Sequence, residues 1–244
     1  MANLLLLHGF TGAPSSWDTV VAALPGCHPV MPWLTGHGSP PAALERDTFE
    51  GEVERLLLLA PAECVLAGYS LGARLALGML ARAPNRFSAA VLVSGSPGLA
   101  DESERALRRQ RDAAWCDVLS RQGLAAFVER WQGEPLFASQ TGLPERTRAA
   151  ERERRLGHTA AGLCHSLRVT GLAEMPSYWP ALSRINCPVS LLAGALDRKF
   201  CDIAAGVVRK LPNGYFAEVP EAGHNLLLER PEAVASAIAK GLRS

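Results

Sequence analysis

The pentapeptide Gly68-Tyr69-Ser70-Leu71-Gly72 constrains this chain more than any other stretch. An apolar, strand-like run, Cys64 to Ala67, leads into it, and a run with helical spacing, Leu71 to Arg82, leads out. A serine on so abrupt a strand-to-helix turn is held beyond the end of a sheet, and the flanking glycines give backbone that side chains would block. The pentapeptide alone is a weak signal, expected by chance in roughly one chain of this size in twelve at average Gly and Ser usage. Its surroundings must carry the inference.

Those surroundings alternate between two periods. Leu4 to Leu7 reads as a buried strand, Pro14 to Leu24 as a helix, Pro29 to Met31 as a short strand and Thr48 to Leu59 as an amphipathic helix. After the strand Cys64 to Ala67 and the helix Leu71 to Arg82 comes a strand from Ala89 to Ser94, ending at Gly95-Ser96-Pro97-Gly98. Apolar strands joined by crossover helices predict a mostly parallel sheet covered on both faces, an α/β fold. The alternation stops near Leu99, and residues 100–182 carry helical spacing and no strand pattern. It resumes with Val189 to Ala193, a helix near Cys201 to Leu211, a strand from Tyr215 to Val219 and a last helix from Pro231 to Leu242. The expected organisation is a core in two parts, 1–99 and 183–244, with a helical cap insertion at 100–182.

With 244 residues, 48% of them hydrophobic, and a net charge of +1, the chain can bury one sizeable core and has no global attraction for nucleic acid or an anionic membrane. Residues 101–155 hold eleven arginines among ten acidic residues, the mixture of a solvated helix surface rather than an unopposed basic patch. The six cysteines form no C-x-x-C pair, and several lie in apolar runs; free thiols packed in a core are expected, and with them the cytoplasm. Leu4 to Leu7 is too short for a signal-peptide core, and no run reaches membrane-spanning length. A monomer is expected, with a homo-oligomer as the alternative.

If Ser70 is to act, it needs a histidine to accept its proton and a carboxylate to orient that histidine. Asp197 follows the strand Val189 to Ala193, with Asp202 a nearby competitor, and His224 follows the strand Tyr215 to Val219. The order Ser, Asp, His, each beyond the carboxyl end of a strand, is that of the α/β-hydrolase arrangement. In that arrangement the backbone N–H groups of Leu71, after the serine, and Phe10, in the glycine-rich loop after the first strand, form an oxyanion hole. His8 and His37 sit in His-Gly turns, where a ring can brace a loop; His28, His158 and His165 receive no role.

Four segments, His8-Gly9-Phe10, Gly36-His37-Gly38, the pentapeptide around Ser70 and Ala222-Gly223-His224, are similar to the α/β-hydrolase superfamily. Further segments resemble one member family, the 2-succinyl-6-hydroxy-2,4-cyclohexadiene-1-carboxylate (SHCHC) synthases of menaquinone biosynthesis. They are Arg74, the stretch Ser94 to Leu99 with Arg108 following, Trp131 with Pro135-Leu136-Phe137, Arg155 ahead of Gly162-Leu163, and Asp197-Arg198-Lys199-Phe200. Pro32-Trp33-Leu34 and Arg155-Leu156-Gly157-His158 depart from that family's usual pattern.

The resemblance implies a lyase without metal or organic cofactor. It eliminates pyruvate from a small tricarboxylate, with Ser70 as a base in a Ser-His-Asp set. It further implies Arg74, Arg108 and Arg155 as carboxylate ligands, Tyr69 and Trp131 as polar donors and Phe137 as an apolar wall. Forked guanidinium groups suit such an anion, though Arg105, Arg109 and Arg111 adjoin Arg108, and Arg152 and Arg154 adjoin Arg155. Two alternatives stand beside it: a carboxylesterase or carbon–carbon bond hydrolase in which Ser70 is acylated, and a ligand-binding relative without catalysis.

Overall fold

The computed structural model describes residues 2–243. In chain order its elements begin β1 (Ala2–Leu7), α1 (Asp18–Ala22), β2 (Cys27–Val30), α2 (Phe49–Leu59), β3 (Cys64–Tyr69), α3 (Leu71–Arg82) and β4 (Phe87–Val93). Three helices follow, α4 (Glu102–Gln132), α5 (Glu145–Leu156) and α6 (Ala160–Thr170). The chain closes with β5 (Val189–Gly194), α7 (Arg198–Val208), β6 (Gly214–Val219), α8 (Leu226–Glu229) and α9 (Pro231–Gly241).

The strands form one sheet in the order β2-β1-β3-β4-β5-β6, with every neighbouring pair parallel. Successive side chains of a strand point to opposite faces, so each apolar strand feeds two cores. Leu5 and Leu7 join Leu66, Leu92 and Leu191 on the face covered by α2, α3 and α7. Leu4 and Leu6 join Val65, Ala67 and Val91 on the face covered by α1 and α9. The chain steps outward from β1 to β2 and then returns to β1's other side with β3. Such a reversal opens a crevice at the carboxyl ends of β1 and β3, and the segments 8–12 and 70–72 lie there.

Several predicted elements are resolved differently. The stretch Pro14 to Leu24 divides into a 3-10 turn, Pro14–Trp17, and the short α1, with the Trp17 ring fully buried at the join. Helix α7 starts at Arg198 rather than near Cys201, because the Asp197 carbonyl already accepts from the N–H groups of Phe200 and Cys201. The one-turn helix α8 follows His224 without a predicted counterpart.

Between β4 and β5 the described residues form helices and no strand. Asp101 opens α4 by accepting from the Glu104 N–H at 3.0 Å, and Thr159 opens α6 by accepting from the Gly162 N–H at 3.0 Å. Helix α4 is broken at Gly123, whose φ of 84° lies outside the helical range. Cys116, Leu119, Phe127, Leu163 and Leu167 make a small core of their own over the carboxyl ends of the strands, in contact with Phe10.

The expectation of free thiols needs correction at one pair. Cys116 and Cys164 form a disulfide, Cα to Cα 5.0 Å, that ties α4 to α6. Their separation of 48 residues carries no short-range signature, so only the packing of the two helices reveals it. Cys27, Cys64, Cys187 and Cys201 are free, and the argument from thiols to a reducing compartment loses its premise.

Helix α3 crosses so close to β1 that a Cβ on Gly72 would overlap the Leu7 carbonyl, and one on Gly68 would overlap the Gly72 carbonyl. Backbone cannot move aside as a side-chain tip can. Gly72→Ala is therefore expected to cost on the order of 3 kcal/mol in urea unfolding. Gly142→Ala, at a position with no neighbour within 4 Å, should stay within about 0.5 kcal/mol of wild type. Equal unfolding midpoints for the two variants would contradict the close crossing.

Candidate active site

Ser70 joins β3 to α3 with φ 51° and ψ −104°, a left-handed backbone that non-glycine residues seldom adopt. Its N–H donates to the Val93 carbonyl at 2.9 Å, and its own carbonyl accepts from the Arg74 N–H at 3.1 Å, so both neighbours hold the turn. Ser70 Oγ lies 3.0 Å from His224 Nε2, and His224 Nδ1 lies 2.6 Å from Asp197 Oδ2. With the Nδ1 proton donated to the carboxylate, Nε2 is left as an acceptor for the serine proton. The His224 side chain is 1% exposed and that of Asp197 is 8% exposed, so solvent does not compete for their bond. Asp202 makes no such contact.

Two residues brace the histidine loop. Ser94, itself at φ 49°, donates from Oγ to the His224 carbonyl at 2.8 Å. Glu229, on α8, accepts from the Gly223 N–H at 2.7 Å and the Asn225 N–H at 3.2 Å, gripping the loop on both sides of His224. The sequence assigns neither of them a role, although Ser94 opens one of the segments that carry the resemblance. A carboxylate five residues after a loop histidine becomes informative only once α8 turns it back.

The loop after β1 is held by three further buried histidines. His8 donates from Nδ1 to the Gly9 carbonyl at 2.8 Å and accepts at Nε2 from the Leu34 N–H at 3.3 Å. His37 accepts from the Thr11 N–H at 3.2 Å, and His158, after α5, donates to the Thr11 carbonyl at 3.1 Å while accepting from the Gly38 N–H at 3.0 Å. Phe10 is thus clamped between Gly9 and Thr11. The bracing expected of His8 and His37 is present, and His158 joins them from a distant part of the chain. Leu71 is the first residue of α3, where an N–H has no partner within the helix; it and Phe10 line the same cavity as Ser70.

That cavity has a volume of about 280 Å³. Arg74, Arg108, Tyr69, Trp131 and Phe137 all line it, together with Arg111 and Lys199, which sequence reasoning left unassigned. Arg74 donates to the Thr170 carbonyl at 2.7 Å, and burial with Arg108 nearby pulls its pKa down to about 9, Asp112 opposing. It remains a cation at neutral pH, incompletely compensated. Trp131 Nε1 is buried with no partner, its ring 5.6 Å from Phe127 and 5.2 Å from Phe10. Burial raises the Tyr69 hydroxyl well above its ordinary pKa, so it is a neutral donor.

Arg155 is set apart from this group. It lies 5.1 Å over the Phe137 ring and 3.4 Å from Glu151, four residues back on α5, and does not line the cavity of Ser70; it lines an adjoining one that shares Phe10, Tyr69 and Phe137 with it. A helical guanidinium finds a carboxylate at that spacing more readily than it reaches across an aromatic wall. Among the described residues, no group of three or more His, Cys, Asp or Glu side chains could hold a metal ion.

A model of the alpha/beta hydrolase family matches residues 4–237. The chain belongs to that family. Within it, a Bacillus subtilis (strain 168) protein provisionally named 2-succinyl-6-hydroxy-2,4-cyclohexadiene-1-carboxylate synthase is 36% identical over 99% of this chain and 90% of its own length. An Enterobacter sp. (strain 638) protein with the same enzyme name is 34% identical over 98% of this chain and 91% of its own. The solved structure of MenH from S. aureus superposes with a TM-score of 0.91 at 29% identity, covering 99% of this chain and 93% of that one. The likeness to the family therefore includes the helical segment between β4 and β5 as well as the sheet.

The three bracing histidines set an acid limit on stability. Burial lowers the pKa of His8 to about 3 and lowers those of His37 and His158 as well, whereas the unfolded chain titrates near 6.5. The unfolded state then binds more protons between those values, so stability is full above about pH 6.5 and falls as pH drops towards 3. His8 contributes up to about 1.4 kcal/mol per pH unit in that window, and His37 and His158 act in the same direction. Urea unfolding midpoints should decline steeply from pH 7 to pH 5, and a level profile there would show that the rings are not held neutral.

Proposed function

We propose that this chain eliminates pyruvate from 2-succinyl-5-enolpyruvyl-6-hydroxy-3-cyclohexene-1-carboxylate to give SHCHC, a step of menaquinone biosynthesis. The observation that carries the reading is one cavity in which the Ser70–His224–Asp197 line faces the incompletely compensated guanidinium of Arg74 and the side chain of Arg108. Full-length similarity to chains bearing the SHCHC synthase name supports it. The helical segment at 100–182 acts as a cap over the cavity, on a core formed by 1–99 and 183–244.

His224, oriented by Asp197, takes the Ser70 proton, and the serine oxygen removes a proton from the substrate ring. The electron pair left on carbon is delocalised into the neighbouring carbonyl and pushes out the enolpyruvyl oxygen. The carbon–oxygen bond breaks, and the proton on His224 goes to the departing enolate, giving pyruvate. Ser70 then carries the ring proton and the site returns to its starting state.

The backbone N–H groups of Phe10 and Leu71 hold negative charge as it develops. Arg74 and Arg108 bind substrate carboxylates, Trp131 Nε1 and the Tyr69 hydroxyl donate to substrate oxygens, and Phe137 walls the ring. Arg155 supports that wall from behind, and Arg111 or Lys199 receives the remaining carboxylate. The substrate is a small soluble anion, which fits a cytoplasmic monomer, and among the described residues no helix is long and apolar enough to cross a membrane.

Purified protein should release pyruvate from this substrate in a lactate dehydrogenase-coupled assay. Ser70→Ala and His224→Ala should each lower kcat by roughly three orders of magnitude or more. Release no faster than the spontaneous rate, with a stoichiometric burst from p-nitrophenyl esters, would establish the esterase reading instead. Arg74→Ala should lower kcat/KM about tenfold or more, because a hydrogen bond to a charged group contributes about 1.5 to 3 kcal/mol. Wild-type kinetics in that variant would refute its carboxylate role.

A further inference from the structure

A cavity assigned to a polyanion contains a carboxylate of its own. Asp112, on α4, lines the cavity beside Ser70 and Arg74 and is 7% exposed. Its Oδ1 accepts from Arg108 Nε at 2.9 Å, while its Oδ2 is buried with no hydrogen-bond partner. That second oxygen rests against the carboxyl end of α6: a Cβ on Gly171, the capping residue, would come within 2.9 Å of it. A helix carboxyl end presents carbonyl oxygens and partial negative charge, so Oδ2 faces groups that favour O–H over O⁻. Burial accordingly raises the Asp112 pKa, outweighing Arg108 and Arg74, with Glu174 adding to the rise.

Several charged and polar groups surround Asp112 in the cavity, and Glu134, beyond the end of α4, adds a second carboxylate to its lining. Arg108 and Arg111 come from its own helix, Arg74 from α3, the Thr170 carbonyl and Gly171 from α6, Glu174 from the segment beyond, and Lys199 and His224 from across the cavity. Arg74 is already bonded to the Thr170 carbonyl and Arg108 to Asp112. An incoming carboxylate must therefore share Arg108 with Asp112. Two carboxylates sharing one guanidinium in a desolvated pocket repel each other, which raises the proton affinity of one of them.

We propose that Asp112 is a proton-linked substrate-binding group: as a substrate carboxylate takes Arg108 and Arg74, Asp112 accepts a proton from solvent on Oδ2, so the site binds the anion and a proton together. The inference rests on the polycarboxylate reading above. It explains how the empty site keeps its arginines aimed and partly neutralised without a fixed carboxylate repelling the ligand. Linkage then requires KM to rise with pH between the Asp112 pKa of the free site and that of the occupied one, up to tenfold per pH unit.

The test measures KM for pyruvate release from about pH 6 to about 8, below the range in which Arg74 loses its proton, and counts protons taken up when substrate is titrated calorimetrically over the same range, in buffers of different ionisation enthalpy, into Ser70→Ala protein, which binds without turnover. Asp112→Asn, the neutral isostere, should have a KM no higher than wild type and free of the pH-dependent rise, and Ser70→Ala/Asp112→Asn should take up about one proton fewer per substrate than Ser70→Ala. An equal count in the two proteins, or a KM raised tenfold in Asp112→Asn with the wild-type pH profile retained, would reduce Asp112 to an aiming group for Arg108. If the Asp112→Asn proteins fail to fold, the remaining measurements decide: proton uptake by Ser70→Ala together with a rising wild-type KM supports the proposal, and a flat wild-type KM or no uptake overturns it. Pyruvate release with a flat KM overturns the proton-linked site and leaves the reaction standing, whereas absence of pyruvate release overturns both.

Discussion

The site depends on how closely the first turn of α3 approaches the end of β1. With no side chain at Gly68 or Gly72, the helix start settles against the Leu7 and His8 carbonyls, which puts the unpaired Leu71 N–H beside the Phe10 loop. The same crossing forces Ser70 into its left-handed backbone, a conformation costing on the order of 1 to 3 kcal/mol. Bonds to Val93 and Arg74 on either side keep it there. A Cβ at Gly9 would meet the Tyr69 ring at 2.6 Å, so the loop and the turn also fit each other directly. Moving any one of these backbones would displace the serine, the amides and the aromatic wall together.

Above that backbone arrangement, charge is distributed by burial. Most arginines of α4 and α5 pair with acids on the same surface, Arg109 with Glu102 and Glu174, Arg152 with Glu129, and such exposed pairs contribute little. Arg74 differs because its half-buried guanidinium lies against a backbone carbonyl with no bonded carboxylate. Desolvating a cation without a full partner is unfavourable, and an incoming anion offsets that cost. The two surroundings explain why so arginine-rich a segment can present only a few cations to one small cavity.

Residues tied to the strand order were legible in the sequence. Ser70, Asp197 and His224 each follow a strand, and a parallel sheet gathers its strand ends at one edge; the single glycine-flanked serine and the late histidine therefore had few competitors. Residues whose surroundings come from helix packing were not. Asp112, Arg111 and Arg155 sit within seventy residues of similar helical spacing, and which of them turns towards Ser70 depends on the break at Gly123 and on how α4, α5 and α6 lean together. Cys116 and Cys164 pair for the same reason. His158 could not be assigned because its partners, Thr11 and Gly38, lie 147 and 120 residues away.

The buried histidines show how one side chain acquires opposite duties. His8, His37 and His158 each give a ring proton to a backbone carbonyl and accept a backbone N–H on the other nitrogen. Both nitrogens are then committed, and protonation would break the accepting bond, so these rings serve as neutral struts. His224 instead gives its Nδ1 proton to a carboxylate and turns Nε2 towards a hydroxyl that can lose its own proton. A carboxylate stabilises the imidazolium that a carbonyl would leave uncompensated. The Ser70 site thus separates structural from reactive histidines by the charge of one partner. The struts' neutrality also protects the reactive one, since a second imidazolium bracing the Phe10 loop would oppose proton transfer to His224.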